Sequence, residues 1–213
     1  MNRLLLMLVF TFGMGSFDSA NAETILFESG TLGPTGLAQF DVAATNVNAS
    51  VFTGVRFELT QQVQTSQVGG HFLSAAGGNF FGAIVQLDDG DDFPDSSDLS
   101  TADVLGIAEL IFPVASNEVF GDLELSLNTG WYALVFGSGL FDTTGSGAAT
   151  RNNLDINDPS YIGIQPGFGM ATLSSFFGNH RFVVSGAVVP EPMSVFLVLT
   201  CTAILILVRG SLK

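Results

Sequence analysis

The densest set of side chains able to do chemistry is a run of aspartates, Asp88, Asp89, Asp91, Asp92, Asp95 and Asp98, with Asp103 just beyond it. Carboxylates are hard oxygen donors, and a calcium ion takes about six to eight such oxygens. Closely spaced aspartates on a loop broken by Gly90 and Pro94 could supply several of them. The spacing matches neither an EF-hand nor a glycine-rich calcium repeat, so the run reads also as a solvated acidic loop relieved by extension and salt. Asn152, Asn153, Asp155, Asn157 and Asp158 form a second, thinner oxygen-rich stretch.

Trp131 and Tyr132 are aromatics that could stack on a sugar ring. They are adjacent, and neighbouring strand residues point to opposite faces, so at least one of the two belongs in a core. His71 and His180 are the only histidines, which leaves too few for a histidine zinc site without help from a carboxylate. Each lies beside a strand and reads better as a hydrogen-bonding core residue. No nucleophile elbow of the Gly-x-Ser-x-Gly kind stands between a strand and a helix. The glycines of Gly137-Ser138-Gly139 and Gly145-Ser146-Gly147 read as loop residues. Paired glycosidase carboxylates could hide among so many acids, since separation in space cannot be read from sequence. The chain is therefore read as a non-enzyme that requires no cofactor, with calcium as the one it could take.

Charge narrows the partners. The formal net charge is -14, and between Glu23 and Ala187 the only basic side chains are Arg56, Arg151 and Arg181. A domain this acidic repels phosphate backbones instead of displacing their counterions, which excludes nucleic acid as a partner.

These residues must be positioned by strands. Asp122 to Leu127 alternates polar and apolar, and Asn128-Thr129-Gly130 is a turn signal before Trp131 to Phe136, so the stretch predicts a hairpin. Val55, Phe57 and Leu59 alternate with Arg56, Glu58 and Thr60, and Val63, Thr65 and Gln67 continue beyond a turn near Gln61. Further strands are expected at Thr24 to Phe27, Leu37 to Val42, Phe80 to Leu87, Val104 to Phe112, Tyr161 to Ile164 and Arg181 to Val188. No stretch of the mature core has sustained helical periodicity. Short strands between Gly, Asn, Asp and Pro clusters predict an all-β fold, an antiparallel β-sandwich or jelly-roll-like single domain over residues 23–187. Twenty phenylalanines would fill the space between its sheets.

The two ends differ from this core. Arg3, an apolar run from Leu4 to about Met14 and the small residues Ala20-Asn21-Ala22 have the layout of a secretory signal peptide, residues 1–22, cleaved before Glu23. The run is too short and too broken by Gly13 and Gly15 for a bilayer span. The lone cysteine, Cys201, allows no disulfide within the chain, so core packing alone must hold the fold. At the other end Val189-Pro190-Glu191-Pro192 precedes sixteen uncharged residues, Met193 to Val208, then Arg209 and Lys213. As a helix that run would span about 24 Å, enough for a transmembrane segment with snorkelling flanks, its basic tip, residues 209–213, inside. The prolines fix φ and favour an extended, exposed segment just outside the helix.

A Pro-Glu-Pro, one terminal apolar helix and a basic tip, in that order over residues 188–213, resemble the PEP-CTERM sorting signals recognised by exosortases. The chain departs from the family in its tip, where the usual arginine cluster is reduced to Arg209 before Gly210-Ser211-Leu212-Lys213. A plain tail anchor that stays in place is the other reading of the same residues. The resemblance implies an exosortase as partner, a precursor held in the inner membrane, and processing near Val189, Pro190, Glu191 and Pro192. It also implies a destination at the cell surface or extracellular matrix, in association with exopolysaccharide. The middle of the chain is similar to the β-rich ectodomains joined to such signals, including Gly130 to Gly139, and that likeness brings no catalytic residue. The function expected is a processed structural surface protein. The alternative is a carbohydrate-binding or adhesive module, calcium-dependent in one version, and behind both stands a hydrolase.

Overall fold

The structure is a computed structural model that describes residues 24–33, 44–174 and 178–189. The signal peptide, Leu37 to Val42, Pro190 to Pro192, the 193–208 segment and Arg209 lie outside the described residues. Among the described residues there is no α-helix, and so none long and apolar enough to cross a membrane.

Among the described residues thirteen strands form two antiparallel sheets. The first sheet is built on the long strand β4 (Val63–Leu73). One edge of β4 carries β13 (Phe182–Val188) and, beyond it, β10 (Gly147–Ala149); the other carries β7 (Asn117–Asp122) and β8 (Ser126–Leu127). Outside these lie β1 (Thr24–Glu28) on β13 and β2 (Thr45–Val47) on β10. In the second sheet the order is β12 (Gly169–Thr172), β11 (Ser160–Gln165), β3 (Phe52–Leu59), β9 (Gly130–Gly137), β5 (Asn79–Leu87) and β6 (Val104–Ile111).

The period of two in β3 turns Val55, Phe57 and Leu59 into the space between the sheets, where they meet Phe27, Phe72, Tyr132, Leu134, Phe136 and Phe182. Phe72 is the hub: its ring lies 4.8 Å from those of Phe80 and Phe136 and 6.0 Å from that of Phe182. Edge-to-face and offset pairs of this kind add to the burial of each ring.

Not every phenylalanine lies between the sheets. Phe52 and Phe81 pack with Ala83, Val85, Ala133 and Val135 on the opposite face of the second sheet, all fully buried. Burial on both faces explains why β5 and β9 read as near-continuous apolar runs. Here Gly137 is required, since a Cβ would overlap the Phe52 ring.

The predicted hairpin from Asp122 to Phe136 does not form. Asp122 ends β7, Leu127 ends β8, and both strands pair with β4 in the first sheet, whereas β9 pairs with β3 and β5 in the second. Between them Asn128 to Gly130 crosses from one sheet to the other, with Gly130 at φ 150. Thr65 breaks the 122–127 run, its Oγ1 donating to Leu123 O at 2.5 Å and accepting from Leu125 N at 2.9 Å.

Arg181, just before β13, bridges Glu28 of β1 and Glu118 of β7 across the outer side of the first sheet and donates to Gly30 O at 2.8 Å. Burial alone would lower this guanidinium; the bonds to Glu118 and Glu28 more than offset that and hold it above its usual value.

Candidate functional site

The acidic loop connects β5 to β6 and lies over the outer face of the second sheet, where Phe93 and Leu99 pack on the second apolar cluster. It is held from below by Arg56. This residue falls on the β3 face opposite Val55 and Phe57, so the alternation that builds the core sends it outward beneath the loop. Arg56 is 3% exposed. Its Nε donates to Asp92 O at 2.6 Å and its Nη2 to Asp91 O at 2.9 Å. Nη1 reaches Ser160 Oγ at 2.9 Å and Thr172 Oγ1 at 3.1 Å, tying in β11 and β12. The Phe93 ring closes over it, with Cζ 4.2 Å from the ring centroid. Burial pushes the guanidinium below its usual value, and the carboxylates of Asp91, Asp92 and Asp89 pull the other way. A planar fork with several fixed donors suits this task better than an ammonium.

The carboxylates themselves turn onto the loop. Asp92 accepts from Asp88 N at 2.9 Å and Phe93 N at 2.8 Å, Asp89 from Asp91 N at 2.8 Å, and Asp103 from Asp95 N at 2.8 Å. Asp98 accepts from the hydroxyls of Ser100 and Ser96 at 2.6 Å and 2.5 Å, which hold its carboxyl below the usual range, the Ser100 bond most strongly. Aspartate is the residue that folds back on its own backbone in this way. Among the described residues no group of three or more His, Cys, Asp or Glu converges where a metal ion could sit. Asp88, Asp89, Asp91, Asp92, Asp95 and Asp98 therefore share a loop without forming a cage.

Trp131 and Tyr132 lie on opposite faces of β9. Tyr132 is 3% exposed, stacks on Phe57 and donates to Asn128 O at 3.0 Å, so its ring has no face for a sugar. Trp131 is half-buried against the acidic loop, so close that a Cβ on Gly90 would come within 2.9 Å of the indole. The pair does not form a two-ring platform.

Both histidines are core residues in a polar network. His180 Nδ1 donates to Thr150 O at 3.0 Å, which leaves Nε2 to accept from Thr45 Oγ1 at 2.8 Å. That order of hydroxyl, imidazole and orienting acceptor resembles a nucleophile and its base, but the imidazole is fully buried and its orienting group is a carbonyl. Tyr161 beside it lies within hydrogen-bonding distance of Asp155 Oδ1 at 2.6 Å and His180 O at 2.7 Å. Burial, and next the Asp155 bond, push this phenol well above its usual value. His71 meets Asn152 Oδ1 through Nδ1 at 2.7 Å, and its buried Nε2 has no partner among the described residues. Burial lowers this imidazole below its usual value, the Asn152 bond opposing.

The second oxygen-rich stretch is used as staples. Asn152 also accepts from Gly33 N, Asn153 donates to Leu32 O, Asn157 donates to Glu28 O, and Asp155 accepts from Asn179 N. Asn157 and Asp158 sit at φ 61 and 47, a left-handed conformation these residue types tolerate.

Of the sorting residues only Val189 is described, and its N–H donates to Gln62 O at 2.9 Å. Sequence reasoning missed Arg56 as the centre of the loop; the available signal was an arginine at a strand position flanked by Val55 and Phe57 in a chain with few cations.

Fold and site together define a two-sheet, all-β protein with an arginine-stapled acidic loop. No protein family model, no curated protein and no solved structure matches the chain.

Proposed function

We propose that the chain is an exported, non-enzymatic surface or matrix protein. In this reading its sandwich is carried between a cleaved signal peptide and a PEP-CTERM type sorting segment cut by an exosortase. One observation carries it: the hydrogen-bonded domain runs to Val189 N, donating to Gln62 O, and the next residue is Pro190, which has no N–H to continue a strand. A processing enzyme that grips Pro190-Glu191-Pro192 would thus cut outside the fold and leave the sandwich whole. A second feature agrees. Thr24 pairs with Gly186, so the start of β1 and the end of β13 lie at one pole, as suits a domain whose leader and tail address the same membrane.

The acidic loop supports a structural role, since its oxygens and its arginine are spent on holding the loop. A carbohydrate-binding or adhesive role is less well supported, because Tyr132 is a core residue and Trp131 lies against Gly90. The test is to replace Pro190, Glu191 and Pro192 together by alanine in the native host. The reading expects the variant to accumulate in the inner membrane with its tail, while the natural chain reaches the outside. Equal distribution of the two would overturn it.

A further inference from the structure

We propose that the Asp158–Pro159 bond is a self-cleavage site, at which the fold drives scission of its own chain in mild acid and leaves a two-chain domain. This goes beyond the export reading and does not depend on it.

Of the seven prolines in the chain only Pro159 follows an aspartate. A proline nitrogen belongs to a tertiary amide and leaves more readily, once protonated, than an ordinary peptide nitrogen. The aspartate before it carries a carboxyl that can close on its own backbone carbonyl as a cyclic anhydride. Attacker and target lie in one residue, so the step needs no partner and no cleft.

The backbone supplies the drive. Asn157 and Asp158 lie in the left-handed region, at φ 61 and 47. Asparagine and aspartate visit that region as single residues. A residue before proline, however, is pushed by the proline ring towards extended backbone. Among the described residues Asp158 is the only one that combines a left-handed φ with a following proline. Both sides of the bond are tied down, so the chain cannot relax by swinging away. Asn157 Nδ2 donates to Glu28 O at 2.9 Å. On the other side Ser160 Oγ accepts from Arg56 Nη1 at 2.9 Å, and Ser160 opens β11 opposite Arg56 of β3. Strain held in place by the surrounding structure is a store that a reaction at the bond can release.

The atoms balance with water alone. Asp158 Oδ bonds to the Asp158 carbonyl carbon, the bond from that carbon to Pro159 N breaks, and the nitrogen takes a proton from the acidic medium. Water then opens the anhydride, which restores the side-chain carboxyl, creates an α-carboxyl on Asp158 and leaves Pro159 as a new N-terminus. Nothing is oxidised or reduced.

The two pieces stay together in this account. Strands β1 to β10 precede the bond and β11 to β13 follow it. β11 pairs with β3, and β13 with β1 and β4. Tyr161, Phe182 and Val184 from the second piece share one core with Phe27, Phe57 and Phe72 from the first.

The test is made on the full chain in mild detergent, at the lowest pH that leaves its circular dichroism unchanged, and in urea at that same pH. The folded chain is expected to yield one fragment ending at Asp158 and one beginning at Pro159, with masses that sum to the intact mass plus one water. The fragments should separate on a denaturing gel and elute together in native buffer. Release of the strained conformation should make the folded chain cleave about tenfold faster than the chain in urea. Asp158→Glu, whose carboxyl stands one methylene further out, and Pro159→Ala, which lacks the tertiary amide, should both stay intact. No cleavage of the folded chain, a rate no higher than in urea, or cleavage that survives either substitution would overturn the proposal. If a variant fails to fold, the natural chain compared with and without urea decides.

Discussion

The Arg56 guanidinium lies 4.2 Å from the centroid of the Phe93 ring while donating to the backbone oxygens of Asp91 and Asp92. A single cation thus holds the most acidic loop of the chain by its carbonyls, leaving the carboxylates free to cap the loop's own N–H groups. Removing the fork costs two part-buried hydrogen bonds to the loop's carbonyls, each worth about 0.5–1.5 kcal/mol, and the contacts to Ser160 and Thr172 besides.

Arg56→Lys keeps the charge but cannot reach Asp91 O, Asp92 O, Ser160 and Thr172 together. It is expected to lose about 2 kcal/mol in urea denaturation. Amide exchange should rise within residues 88–103 before it rises elsewhere. An unchanged midpoint would show that the staple carries no stability.

Calcium should not matter to the fold. Because the aspartates are bonded within the loop and do not converge, adding calcium or a chelator is expected to leave the melting temperature unchanged. A calcium-dependent rise in melting temperature that Asp92→Asn abolishes would contradict this.

Acid should weaken the protein near neutrality. His71 is held neutral by burial, so its pKa is lower folded than unfolded. The unfolded chain then binds the proton more readily, and stability falls as pH drops below about 6.5, by at most ~1.4 kcal/mol per pH unit for this one group. Above that pH the contribution is constant. His71→Gln should flatten the dependence between pH 6.5 and 5, and an unaltered slope would place the titration elsewhere.

Tyr161→Phe removes one hydroxyl that meets both Asp155 and His180 O. Its expected cost is about 1–2 kcal/mol, in the range for a buried hydrogen-bonded hydroxyl. Since the phenol is held above its usual value, the natural protein should also lose stability above about pH 10, where an unfolded tyrosine ionises, and the variant should lose less. Equal alkaline behaviour would refute the assignment.

Many of the strands were readable in the sequence, although half-exposed β2, β7 and β12 were not among those expected. The alternation of Val55, Phe57 and Leu59 predicts β3 and its inward face, and the expected strands at Thr24, Phe80, Val104, Tyr161 and Arg181 form, the last beginning one residue later at Phe182. Partnership was not readable. Asn128 to Gly130 looks like a hairpin turn, yet it passes between sheets, because Leu123 and Leu127 belong to a core that both sheets share. Nor does periodicity reveal that Phe52 and Phe81 are buried on the far face, where the Phe81 ring meets that of Phe141 edge-on at 5.1 Å. Arg56 was legible only as an oddity, a cation in an apolar strand, and its role needed the carbonyls of a loop some 36 residues away.

The export account is tested most directly by the intact mass of the protein recovered from outside its native cells. It predicts a species that begins at Glu23 and ends between Val189 and Pro192, the β-sandwich without its leader or tail. A species in the inner membrane that still carries Met193 to Lys213 would contradict it and leave a permanently anchored domain in its place.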